Sequence, residues 1–284
     1  MGKEEKIWTF QKWVLNMQIQ YNKLIDQCVN NLTLDVVLSG YVQTGPEWKG
    51  KNVCSSFSRL YLIESGSGWI RFEDQIVPLE PGKAYLIPPG LRIGYGCDGQ
   101  LSKLYFHLNL WKPDRYDFMQ NLDQICVLEL PDGWLQQMRK QQNSRTLLDA
   151  LLLKQYLLQL LAGFAQQARL STENISNFSQ HVAQSILYVQ RHLSAKLSVN
   201  QLAQQCFLSE RQLNNLFRKE LGVTPGQYLD DQLMADAQRL LILTTDSIGA
   251  ISDALGFSDQ FYFSRKFKKA FGQTPLQYRR GNHI

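Results

Sequence analysis

Two sets of side chains, fifty positions apart, have the chemistry to read nucleic-acid bases. Glu210, Arg211, Asn214, Asn215 and Arg218 recur at the three- and four-residue spacing that places them on one face of a helix. So do Gln260, Phe261, Ser264, Arg265 and Lys268. Arg offers a bidentate donor pair to guanine, Asn and Gln match the adenine edge, and Phe can meet a thymine methyl. Lys219, Lys268, Lys269, Arg279 and Arg280 suit phosphate contacts, which position a protein without specifying sequence, or are simply solvated charges. A polar outer face is the ordinary fate of any single soluble helix. A second stripe in the matching place weights the balance toward recognition.

The elements that must carry these stripes repeat as well. FRKELGVTPGQY (217–228) returns as FKKAFGQTPLQY (267–278), with Phe, Lys, Gly, Thr, Pro, Gln and Tyr kept in register. Behind the stripes, Leu213, Leu216, Phe217 and Leu221, and then Phe263, Phe267 and Phe271, form apolar faces at helical spacing. Ser198, Ser209, Thr224, Ser247, Ser258 and Thr274 stand where N-caps belong, Pro225 and Pro275 follow at first-turn positions, and Gly222 and Gly272 stand as stops. Each copy therefore reads as a short helix, a tight turn, a longer helix, a Gly stop and a Thr-Pro restart, which is the helix-turn-helix arrangement. Tyr228 and Tyr278 are expected in the core.

The 284 residues allow two domains, each with its own core, and 44% apolar with 19% charged residues describes a globular chain. MGKEEKIW has no apolar stretch behind its charges, so no secretory signal is expected, and no apolar run is read as membrane-spanning. Cys28, Cys54, Cys97, Cys126 and Cys206 are scattered and odd in number, the usage of a reducing, cytoplasmic compartment. The sequons at Asn31, Asn174 and Asn177 are then idle. Residues 180–284 hold 12 Lys/Arg against 8 Asp/Glu, whereas the longer remainder is nearly balanced, so the positive excess lies where the repeat lies.

Residues 30–110 alternate short apolar runs with Gly, Pro, Asp and Ser punctuation, which predicts a small antiparallel β-barrel or sandwich, preceded by a helix over about 9–30. From 134 to 170 the texture is helical. Between Leu147 and Phe164 the clear polar positions are Asp149, Lys154, Gln155 and Gln159, so this helix is buried on two sides: against the barrel and against a second copy, or within one larger domain. STENISNFSQ reads as a linker. The expected organisation is a β-barrel domain over 1–133, a helical dimerisation segment over 134–170, a linker over 171–179 and an all-α domain over 180–284. The two helix-turn-helix motifs fall at about 198–222 and 247–272.

On these motifs, residues 180–284 resemble the DNA-binding domain of the AraC/XylS family of bacterial transcription regulators; IGAISDALGFSDQFYFSRKFKKAFGQTPLQYRR matches its signature over nearly the whole length. The resemblance implies one unit whose recognition helices enter successive major-groove segments, joined by a long helix over about 225–243. It assigns base contacts to Arg211, Asn214, Asn215, Gln260, Phe261 and Arg265. Asn215 departs from the family's frequent Arg. SRLYLIESGSGWIRFEDQIVPLEPGKAYLIPPG is similar, more loosely, to the cupin-type effector domain of sugar-responsive members. That implies a small-molecule effector, a sugar or sugar derivative, together with promoter DNA, RNA polymerase and a homodimer. Tyr95 and Tyr105 match sugar-contacting positions of the arabinose-responsive relative. Arg59, Tyr61, Trp69 and His107 join them by strand alternation, and each has barrel-core packing as its alternative. No cofactor and no metal is expected, because His107 is alone in a region where cupin enzymes gather several His. The competing readings are a metal-dependent cupin enzyme, a DNA-repair methyltransferase and an adaptor without DNA affinity.

Overall fold

A computed structural model describes residues 30, 32–112, 115–170 and 178–282. The helix expected over about 9–30, except residue 30, and most of the linker, 171–177, lie outside the described residues. Nine strands come first: β1 (Thr33–Thr44), β2 (Lys49–Val53), β3 (Ser58–Gly66), β4 (Gly68–Phe72), β5 (Gln75–Leu79), β6 (Lys83–Ile87), β7 (Ile93–Gly96), β8 (Leu101–Trp111) and β9 (Cys126–Glu129). They form two antiparallel sheets, β1-β8-β3-β6-β9 and β2-β7-β4-β5. No ladder joins the sheets among the described residues, so the expected barrel is an open two-sheet, cupin-like jelly roll.

The strand sequences explain this layering. β8 is buried along almost its whole length. Its even positions Leu104, Phe106 and Leu108 join Leu60, Leu62 and Leu86 in a core covered by α1 (Trp134–Gln142) and α2 (Leu147–Gln167). Its odd position Tyr105 turns the other way, joining Tyr61, Ile63, Tyr85 and Ile87 against Ile70, Ile93 and Tyr95 of the second sheet. Period-two alternation thus gives the larger sheet two buried faces. Leu157, Leu160, Leu161 and Phe164 seat α2 on the sheet. The expectation that α2 is covered on both sides is not met within one chain, because Leu147 and Leu151 remain 88% and 63% exposed. By length and composition α2 could cross a membrane, a correction to the sequence reading, but its seat in this core gives its apolar residues another purpose.

The second half is helical: α3 (Gln180–His192), α4 (Val199–Gln205), α5 (Glu210–Leu221), α6 (Pro225–Leu243), α7 (Ile248–Ala254), α8 (Gln260–Phe271) and α9 (Pro275–Asn282). Ser198, Ser209 and Thr224 cap α4, α5 and α6 in full capping boxes with Gln201, Gln212 and Gln227. Thr274 and Gln277 exchange the same bonds at α9. Gly222 and Gly272 end α5 and α8 at φ +75° and +76°, the left-handed turn that a side chain resists. One boundary differs from the sequence expectation. Asp259, not Ser258, caps α8, accepting from Tyr262 N at 2.7 Å. A carboxylate at that place also meets the positive end of the helix dipole.

The two halves share a core. Val37, Cys54 and Phe57 of the sheet domain cluster with Leu233, Met234, Ala237 and Leu241 of α6 and with the Phe face of α8. Ser56 N donates to Gln238 Oε1 at 2.5 Å, Tyr116 Oη to Asp231 at 3.2 Å, and Gln232 to the Arg115 carbonyl at 3.3 Å.

Candidate nucleic-acid interface and effector site

α4–α5 and α7–α8 are two copies of one device. Leu213 and Phe217 fix α5 from beneath, while Phe263, Phe267 and Phe271 fix α8. Six of the seven residues kept between the copies are scaffold. Phe217/Phe267 and Tyr228/Tyr278 are core, Gly222/Gly272 end helices, and Thr, Pro and Gln start the next ones. Lys219/Lys269 is the remaining pair, and it is exposed in both copies. The outer face of α5 presents Arg211, Asn215 and Arg218 fully and Asn214 partly; Asn214 also donates to its own helix at Glu210 O, 2.9 Å. The outer face of α8 presents Gln260, Phe261, Arg265, Lys268 and Lys269, with Ser264 half-buried. Phe261 is 74% exposed, an unusual position for a phenyl ring with nothing to cover it. Arg265 and Lys269 also line a cleft of about 760 Å³ between the domains, with Arg92, Arg115, Asp117 and Asp230.

The second site lies between the two sheets. The structure brings Arg59, Tyr61, Tyr95, Tyr105 and His107 together, all buried. The β3–β8 register sets Arg59 opposite His107 and Tyr61 opposite Tyr105. Arg59 Nη1 stands 3.2 Å from His107 Nε2, and Arg59 Nε and Nη2 donate to Ser55 Oγ at 3.1 and 2.9 Å. Trp69 is not part of this group. Its neighbours Ile70 and Phe72 join the inter-sheet core, and the pleat turns Trp69 outward, where it covers Gly96 and packs on Arg71.

Two members were missed from sequence. Lys103 is 3% exposed, with Nζ 3.3 Å from the Trp48 ring centre and 4.0 Å from that of Tyr61; Trp48 in turn lies 4.6 Å from Tyr95. The signal was available, because Lys103 shares strand parity with Tyr105 and His107. Burial, with Arg59 as the next cause, pushes the Lys103 ammonium well below the usual lysine range. Burial, then Arg59 and Lys103, does the same to His107. Among the described residues no group of three or more His, Cys, Asp and Glu could hold a metal ion.

Residues 36–188 match the AraC-like ligand binding domain family, and residues 202–281 a helix-turn-helix domain family. The chain belongs to the family of AraC-type transcription regulators, each with a ligand-binding domain and a helix-turn-helix DNA-binding domain. It is 27% identical over 239 residues to the arabinose operon regulatory protein of Escherichia coli K12, covering 78% of this chain and 80% of that one. It is 28% identical over 241 residues to the transcriptional activator RhaS of Escherichia coli O139:H28, covering 79% and 86%. A solved structure of ToxT from Vibrio cholerae shares the fold, with a TM-score of 0.54 at 12% identity over 89% of this chain and 100% of that one.

Proposed function

We propose that this chain regulates transcription by reading two successive major-groove segments of promoter DNA, under the control of a small effector held between its sheets. The observation that carries the reading is the duplicated helix-turn-helix, with six of the seven kept residues spent on scaffold and the varied ones displayed. Two rigid copies with different outer faces are what a protein needs to read two different short base clusters. Arg211, Asn214, Asn215 and Arg218 face one groove segment; Gln260, Phe261, Ser264, Arg265 and Lys268 face the next, and Lys269 contacts phosphate.

The effector is a sugar or sugar derivative, supported by the arabinose operon relative and by the aromatic residues around Arg59. Arg59 is also where the effector meets the DNA-binding half, because Tyr278 of α9 lies buried beside Ser55 and Arg59. An effector that binds one arrangement of this contact better than another shifts the balance between them. The open leucine face of α2 pairs two copies, and the DNA-bound dimer works with RNA polymerase.

Selection of random DNA duplexes by the full chain tests the reading. Two short conserved clusters about one helical turn apart are expected. No enriched sequence at moderate salt overturns it.

A further inference from the structure

Among the described residues Lys103 is a lysine buried to 3% exposure. A buried ammonium is costly unless a carboxylate or several acceptors compensate it. Among the described residues no carboxylate forms an ion pair with Lys103; its contacts are the faces of Trp48 and Tyr61. The other polar groups nearby add to the imbalance. Arg59 is a second buried cation. Because a guanidinium can only donate, its 3.2 Å approach makes His107 Nε2 the acceptor, and the ring proton then sits on Nδ1. That Nδ1 is buried with no hydrogen-bond partner among the described residues. The site therefore holds a cation and a donor that both lack an oxygen acceptor.

Its surroundings suit a flat, hydroxylated molecule. Lys103 and His107 flank Tyr105 on β8, and Tyr61 pairs with Tyr105 across the ladder. Trp48 and Tyr95 close the other side, and Trp48 stands at the end of the Gly45–Trp48 turn. Beyond Tyr95 opens a hollow of about 370 Å³, lined also by Lys49 and Lys51 and by Gly272, Gln273 and Gln277 of the DNA-binding half. Tyr95 is the residue this hollow shares with the inter-sheet group, and the two exposed lysines that line it favour an approaching anion.

We infer that the effector of this chain is an anion, a hydroxylated carboxylate of monosaccharide size such as a uronic acid, whose carboxylate takes the place of the Trp48 face at Lys103 Nζ. The inference rests on the inter-sheet effector site of the proposed function and adds the charge of its occupant. An acid oxygen serves Lys103 or His107 Nδ1, and the ring lies against Trp48 and Tyr95.

The test compares matched pairs on the full chain by calorimetry and thermal shift: D-galacturonate against D-galactose, and D-glucuronate against D-glucose, each at millimolar concentration. The expected result is that an acid binds and raises Tm while its neutral partner does not. In K103M binding should fall at least tenfold, although the variant melts higher than the wild type. K154M, at an exposed lysine of α2, should bind as wild type does. Should K103M fail to fold, the wild-type comparison still decides. Neutral sugars binding as tightly as their acids, with K103M unchanged, overturn the anion and leave the effector site standing. Acids binding equally to K103M also overturn it. No binding by any of the four overturns the anion, and with it the monosaccharide effector.

Discussion

A guanidinium on a recognition helix and an ammonium beside it differ in what they can know about DNA. Arg265 can grip a guanine edge with two donors, whereas Lys269, one helical turn further along, has the reach of a phosphate contact. Lys269→Ala is therefore expected to weaken all sequences alike and to reduce the slope of log affinity against log salt by about 1. Titrations of two unrelated duplexes at several salt concentrations measure this; a sequence-dependent loss would make Lys269 a reader instead. The residue scale is also where sequence reasoning saw least. The outer faces of α5 and α8 were legible because helical spacing alone assigns them. Trp69 was placed in the effector site by an expected strand alternation, and the observed pleat turns it out of that site. Lys103 was passed over because a charged residue in a strand normally faces water. The arithmetic of odd and even positions along β8 was the better guide.

The helical elements were legible almost to the residue, since their boundaries are written in local chemistry: a hydroxyl that accepts from the third amide, a Gln that bonds back, a Gly at positive φ. The sheets were not. Short strands could be expected from their punctuation, but nothing local states that β1 pairs with β8 or that the sheets stay open, because those pairings join residues as far apart as Thr33 and Trp111. Thr274→Ala removes the hydroxyl that accepts from Gln277 N at the start of α9 and should lower stability by about 1 kcal/mol, read by denaturant unfolding. An unchanged midpoint would show that α9 is held by Tyr278 alone. Leu151→Glu places a charge on the open face of α2 and should dissociate the proposed dimer while leaving the circular dichroism of the folded chain in place. Sedimentation that finds wild type and variant with equal mass would remove α2 as the pairing surface.

At the scale of the molecule, two domains share one core along α6. Gln238 sits at its centre, fully buried, accepting from Ser56 N. Gln238→Ala leaves that amide without its acceptor, at a cost of about 1–3 kcal/mol. Scanning calorimetry should then show a single unfolding transition separating into two. A single transition at the wild-type temperature would mean that the halves are not coupled through this contact. In the proposed function, this coupling is the route by which an effector between the sheets acts on the helices assigned to DNA.

The most direct measurement is a guanine-interference footprint of the full chain on a duplex it has selected, wild type against Arg265→Ala. Two groups of contacted bases about one helical turn apart are expected. The variant should lose contact at one guanine of one group and a factor worth about 1–3 kcal/mol in discrimination there, with the other group untouched. A footprint confined to one group, or a variant whose pattern matches the wild type, would contradict the proposed function.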